Sequence, residues 1–245
     1  MKPFLILQLR PIDLAANNEF SSFLHYGGLN EHEVHRVRME KESILKINLD
    51  DYSGIILGGG PSNVSDDEDK KYSYQRKFEV ELDMLLDKVF ETDFPMLGTC
   101  YGIGALVRHQ GGKVSKENYS EDVGVINIEL TEAGKNDKLL KGLPANFIAY
   151  GGHKEACQTL PSNATLLARS NICPIQMIRF GQNIYATQFH TELDEEGITI
   201  RINIYKNHGY FSPQDAENLI MKAKSNLVTS PGLILNQFIK KYKRQ

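Results

Sequence analysis

The chain has 245 residues, 41% of them hydrophobic and 24% charged, with a formal net charge of −3. This suits one large domain, residues 1–245, with a substantial core, and gives no sign of a nucleic-acid or membrane-surface partner. No apolar run approaches a bilayer-spanning length, the N-terminus lacks the features of a signal peptide, and the three cysteines have no metal-finger spacing, so reduced thiols in the cytoplasm are expected.

Residues 4–9 form a short apolar run followed by a turn at Arg10-Pro11, as in a buried parallel strand. A helix is predicted over residues 14–26, with Asp13 as its cap and Gly27-Gly28 as its end. Residues 33–39 alternate less cleanly and suit an outer strand. Gly54-Ile-Ile-Leu57 is another buried strand, and it runs directly into Gly58-Gly-Gly-Pro61. An acidic, polar stretch at 65–71 reads as a solvated loop. From 72 to 91, Phe78, Leu82, Leu85, Leu86 and Val89 recur with helical period. Pro95-Met-Leu97 then gives a strand, Gly98 to Gly102 a tight turn, and residues 103–107 the start of a helix. This alternation predicts an α/β fold: a flavodoxin-like open, mostly parallel sheet with helices on both faces.

After Gly111-Gly112 the pattern changes. Strands are predicted at 123–130, 147–150, 165–168, 175–180 and 184–189, as a small antiparallel extension of the sheet. Helices follow at 193–207, 215–224 and 232–243, with Ser212-Pro213 and Ser230-Pro231 as helix starts.

Cys100 stands at the strand-to-helix turn. A side chain on such a corner projects above the sheet edge, and the helix N-terminus favours a thiolate. Cys157 and Cys173 read as small buried hydrophobes. A cysteine nucleophile needs a base, and the base needs an orienting group. His190 follows the strand ending at Phe189, and sites in open α/β sheets gather beyond the carboxyl ends of strands. Glu192, two residues on, can accept the imidazole N–H and fix its tautomer. His25, His32 and His35 have no cysteine or carboxylate cluster beside them, so no metal is expected there. The glycines at 58–60 admit three readings: a phosphate cradle, a plain tight turn, or one half of an oxyanion hole whose other half is the N–H of Tyr101.

Gly58-Gly-Gly-Pro61, Gly98-Thr-Cys-Tyr-Gly102 and Gln188-Phe-His-Thr-Glu192, in this order, resemble the three signatures of class I glutamine amidotransferases, and of the glutaminase domain of GMP synthase in particular. His153-Lys-Glu-Ala is similar to that family's His-containing loop. The resemblance implies a cysteinyl thioester mechanism that needs no metal or cofactor. Cys100, His190 and Glu192 would be the triad, Gly60 and Tyr101 the oxyanion donors, and Gly59, Gly104 and residues Tyr150, Gly151 and Gly152 the substrate-binding positions. Two departures stand out. Gly104 occupies a position that is usually Gln, which would open space beside the nucleophile for a larger γ-glutamyl substrate. Thr191 replaces a Pro between the triad His and Glu. Three readings follow: a glutaminase supplying ammonia to a separate synthetase subunit, a γ-glutamyl peptide hydrolase or transpeptidase, and an inactive binding or regulatory module.

Overall fold

The computed structural model describes residues 2–209 and 211–244; Met1, Tyr210 and Gln245 lie outside the described residues. The chain order is β1 (Phe4–Gln8), α1 (Asp13–Gly27), β2 (Val34–Arg38), β3 (Gly54–Leu57), α2 (Ser73–Thr92), β4 (Met96–Thr99), α3 (Tyr101–His109) and β5 (Val114–Ser115). It continues with β6 (Glu121–Leu130), α4 (Glu132–Lys135), β7 (Asn146–His153), β8 (Ala156–Cys157), β9 (Ala164–Arg169), β10 (Met177–Phe180), β11 (Ile184–Thr187), α5 (Glu195–Tyr205), α6 (Ala216–Lys224) and α7 (Ser230–Tyr242).

One open sheet runs in the order β2-β1-β3-β4-β11-β10-β9-β6-β7. The first five strands are parallel. The remaining four join them as the antiparallel extension. The fold is the expected flavodoxin-like α/β architecture. Successive residues of the central strands serve opposite faces, as the period of two requires. Leu5, Leu7, Ile55, Leu57 and Met96 pack under α2 and α3. Phe4, Ile6, Ile56 and Leu97 pack under α1 and α7. Strands buried on both faces are almost wholly apolar, which is why β1, β3 and β4 were legible as short unbroken runs.

Asp13 is not the cap of α1. Ile12 occupies that position without a side-chain bond, and Asp13 is the first helical residue, paired with Arg38 and Lys41. Gly28 does end the helix, at φ 64°, a left-handed value that glycine adopts without strain. Ser212-Pro213 opens a single 3-10 turn before α6. Two further pieces carried too few residues to show a period: the β5–β8 ladder and the one-turn α4.

Candidate active site

The carboxyl ends of four adjacent parallel strands, β1, β3, β4 and β11, deliver Arg10, Gly58–Gly60, Cys100 and His190 to one edge of the sheet. Cys100 sits between β4 and α3 with φ 53° and ψ −95°. A side chain in this region is strained, by ~1–3 kcal/mol for such outliers. The corner is held by the Cys100 N–H, which donates to the Thr187 carbonyl at 2.8 Å. Behind it, the buried Tyr101 hydroxyl donates to Glu79 at 3.0 Å, and Glu79 also receives Lys71, Gln75 and Arg108. The sulfur remains partly accessible, whereas Cys157 and Cys173 are buried. Burial pushes those two thiols up to about 11 and about 12, which keeps them protonated and inert.

His190 is 6% exposed and Glu192 fully buried. His190 Nδ1 lies 2.8 Å from Glu192 Oε1, and His190 and Cys100 line the same cavity. Its backbone N–H donates to the Tyr150 carbonyl at 2.9 Å. Burial by itself would push the imidazole down; the Glu192 carboxylate and the Cys100 contact overcome this and raise its pKa to about 9. Burial likewise pushes Glu192 up, and His190, then Arg201 and Arg10, hold it well below the ordinary carboxylate range.

The sequence reading missed a layer behind Glu192. Arg201 of α5 donates from Nη2 to Glu192 Oε1 at 3.3 Å and lies 3.6 Å from Glu19 of α1. Arg10 donates from Nε to Glu19 at 2.7 Å and from Nη1 to the Tyr205 hydroxyl at 3.4 Å. Gln8 donates to Glu19 at 2.8 Å. The one local signal was Arg201 inside the apolar run Ile198-Thr-Ile-Arg-Ile; a cation there must either snorkel or find a buried partner.

Gly59 is shaped by this site. A methyl group there would lie 2.8 Å from His190 Cε1 and 3.1 Å from Cys100 Cβ. Gly60 packs against Leu9, whose carbonyl oxygen would lie 2.6 Å from a Cβ there, and lines the same cavities as Cys100. The Tyr101 N–H opens the first turn of α3, where helical N–H groups have no intrahelical acceptor. Gly151 and Gly152 also line this space. Tyr150 does not join them: its hydroxyl donates to the Ala223 carbonyl at 2.9 Å, and its own carbonyl holds His190. Gly104 lines a cavity together with Cys100 and Tyr101, but a side chain at 104 would be tightly bounded. A Cβ there would meet Val64 Cγ2 at 3.1 Å and Glu155 Oε1 at 3.4 Å. Glu155 in turn accepts from the N–H groups of Val64 and Ser65, each at 2.9 Å.

Among the described residues, Glu121, His153 and Cys173 form the group whose ligand atoms lie close enough to hold a metal, within 4.8 Å of one another. His25, His32 and His35 are not part of it. The His153 ring is already bonded on both nitrogens, to the Glu155 carbonyl and to Glu121, each at 2.9 Å. Ser170 and Gln176 also donate to Glu121. The group is a closed hydrogen-bond network.

A cysteine on a strained strand-to-helix corner, faced by a buried histidine–glutamate pair above a flavodoxin-like sheet, defines the class of site. The chain belongs to the class I glutamine amidotransferase family: residues 16–210 match the family description "Glutamine amidotransferase class-I". It is 30% identical over 173 residues to a subunit of the glutamine-hydrolyzing GMP synthase of Thermoplasma volcanium, covering 70% of this chain and 77% of that protein. It is 27% identical over 197 residues to γ-glutamyl peptidase 3 of Arabidopsis thaliana, covering 78% of this chain and 73% of that one. It spans far less of the longer GMP synthases, 28% of the one from Bacillus velezensis. A glutamine amidotransferase structure from Thermotoga maritima superposes over 100% of both chains with a TM-score of 0.79 at 19% identity. No helix among the described residues is long and apolar enough to cross a membrane.

Proposed function

We propose that the chain hydrolyses the amide of a γ-glutamyl group through a thioester on Cys100, with glutamine as the simplest substrate. The observation that carries this reading is that Cys100 and a buried His190, whose Nδ1 lies 2.8 Å from Glu192, line one cavity. The Cys100 proton having passed to His190, the sulfur attacks the γ-carbonyl carbon as a thiolate. The oxyanion lies against the N–H groups of Gly60 and Tyr101, each donor worth roughly 3–4 kcal/mol in acyl transfer. The C–N bond breaks and His190 returns its proton to the departing nitrogen. Water, deprotonated by His190, then attacks the thioester, the S–C bond breaks and glutamate leaves. Gly59 keeps the sulfur and the imidazole in contact, and Gly104, Gly151 and Gly152 border the acyl group. Tyr150 acts through its backbone carbonyl on His190.

With glutamine the second product is ammonia. The Thermoplasma volcanium relative is by name one subunit of a synthase, so a separate synthetase subunit is the partner this reading calls for. A second reading, hydrolysis of γ-glutamyl peptides at the same sulfur, is supported by the Arabidopsis thaliana relative. Three free thiols fit a reducing compartment such as the cytoplasm.

The test is release of glutamate and ammonia from glutamine by the wild-type chain, Cys100→Ser and His190→Ala. Turnover is expected only in the wild type. Equal rates in Cys100→Ser would remove the sulfur from the chemistry, and failure of the wild type with every γ-glutamyl compound would leave the binding-module reading.

A further inference from the structure

In the proposed mechanism the oxyanion rests on two backbone N–H groups from segments far apart in the sequence. Gly60 lies past the end of β3, and Tyr101 opens α3. Neither N–H belongs to the regular ladder of a strand or the interior of a helix. An oxyanion hole works only when its donors are fixed before the charge develops. Some group outside both segments must therefore hold them in register.

Glu79 of α2 is placed to do this. It is 5% exposed. Its Oε1 accepts from the Tyr101 hydroxyl at 3.0 Å and from Gln75 Nε2 at 2.9 Å. The same buried Gln75 amide also donates to the Asn63 carbonyl at 2.9 Å, and Asn63 follows directly on Gly60-Pro61-Ser62. One carboxylate oxygen thus joins the side chain of Tyr101 to the backbone of the Gly60 loop. The other oxygen, Oε2, is held by Lys71 at 2.7 Å and Arg108 at 3.0 Å, so the bridging atom is fixed by two charge-assisted bonds. Burial, and then the Glu79 charge, push the Tyr101 hydroxyl well above its ordinary pKa, which keeps it a donor.

Stability alone does not call for this arrangement. A buried ionic network is often no more stabilising than apolar side chains of the same volume. What the bridge supplies is a fixed distance between two loops.

We propose that Glu79 is the positioning residue of the oxyanion hole: through the Tyr101 hydroxyl and the Gln75 amide it keeps the Tyr101 and Gly60 N–H groups in register. Glu79 itself lines neither cavity at Cys100. Acylation of the sulfur and hydrolysis of the thioester both pass through an oxyanion, so both steps depend on it. This role rests on the thioester reading of Cys100.

The test separates stabilisation of the oxyanion from reactivity of the sulfur. Glutamine hydrolysis needs the hole. Alkylation of Cys100 by iodoacetamide displaces iodide at a saturated carbon and forms no oxyanion. Two variants are compared with the wild type: Glu79→Gln, and Tyr101→Phe, which removes only the hydroxyl that reaches Glu79. In both, kcat for glutamine is expected to fall about tenfold or more with KM little changed, a part of the roughly 10²–10³ that loss of an oxyanion donor costs. The alkylation rate at Cys100, followed by mass spectrometry of its peptide, is expected to match the wild type. Tyr101→Phe decides the matter even where Glu79→Gln does not fold. An unchanged kcat in Tyr101→Phe overturns the role. So does a parallel fall of kcat and alkylation, which would make Glu79 a general support of the corner. Wild-type alkylation without turnover of any γ-glutamyl compound overturns the thioester reading, and this role with it.

Discussion

The basicity of His190 depends first on Glu192 and then on Cys100. Burial opposes its charged form, and the Glu192 carboxylate reverses that. In Glu192→Gln, the His190 titration midpoint followed by NMR is expected to fall from about 9 to the ordinary 6.5 or below; an unmoved midpoint would show that the carboxylate is not the cause. The same pair sets a pH dependence of stability. Because the folded-state value lies above the unfolded one, its contribution is full below pH 6.5 and is lost as pH rises through about 9. Urea midpoints measured across that window are expected to fall in the wild type and to flatten in Glu192→Gln. Gly59 gives a steric counterpart: Gly59→Ala puts a methyl group 2.8 Å from His190 Cε1. Turnover is expected to drop about a hundredfold, the effect of a ~1 Å misplacement of reacting groups, with an unchanged far-UV circular dichroism spectrum. Near-normal turnover would mean that the imidazole and sulfur need not be so close. Cys100, His190 and Glu192 were legible because each follows a strand end that the sequence marks. Arg10, Glu19 and Arg201 were not, since only the packing of α1 and α5 over the sheet edge brings them together. At Gly104 the sequence could not show Val64, forty residues earlier, which bounds one side of the space there.

At the scale of elements, the β4–α3 corner trades stability for exposure of the sulfur. Cys100 holds φ 53°, and a glycine there would be free of the Cβ contribution to that strain. Cys100→Gly is therefore expected to raise the unfolding free energy by about 1 kcal/mol while abolishing turnover, whereas Cys100→Ser keeps the strain and gains nothing. Denaturant titration of the two variants separates these outcomes; equal stability would mean the corner is unstrained. The central strands and the long helix α2 were legible because burial on two faces and a 3.6-residue period leave clear patterns. The cap of α1 was misassigned because Asp13 is drawn into ion pairs with Arg38 and Lys41 from outside the helix. Two-residue strands such as β5 and β8 have no period to read.

For the molecule as a whole, strand order decides what meets what. Placing β11 beside β4 brings residue 190 to residue 100 across ninety positions of sequence. Placing α5 and α1 over the same edge closes the charged layer behind them. The account of the site stands on the Cys100 sulfur becoming acylated. Acid-quenched protein, sampled during steady turnover of glutamine and digested for mass spectrometry, measures this directly. The account predicts a γ-glutamyl adduct on the peptide containing Cys100, lost on treatment with hydroxylamine and absent from Cys100→Ala. Rapid glutamate release with no adduct at Cys100, or with the adduct on another residue, would contradict it.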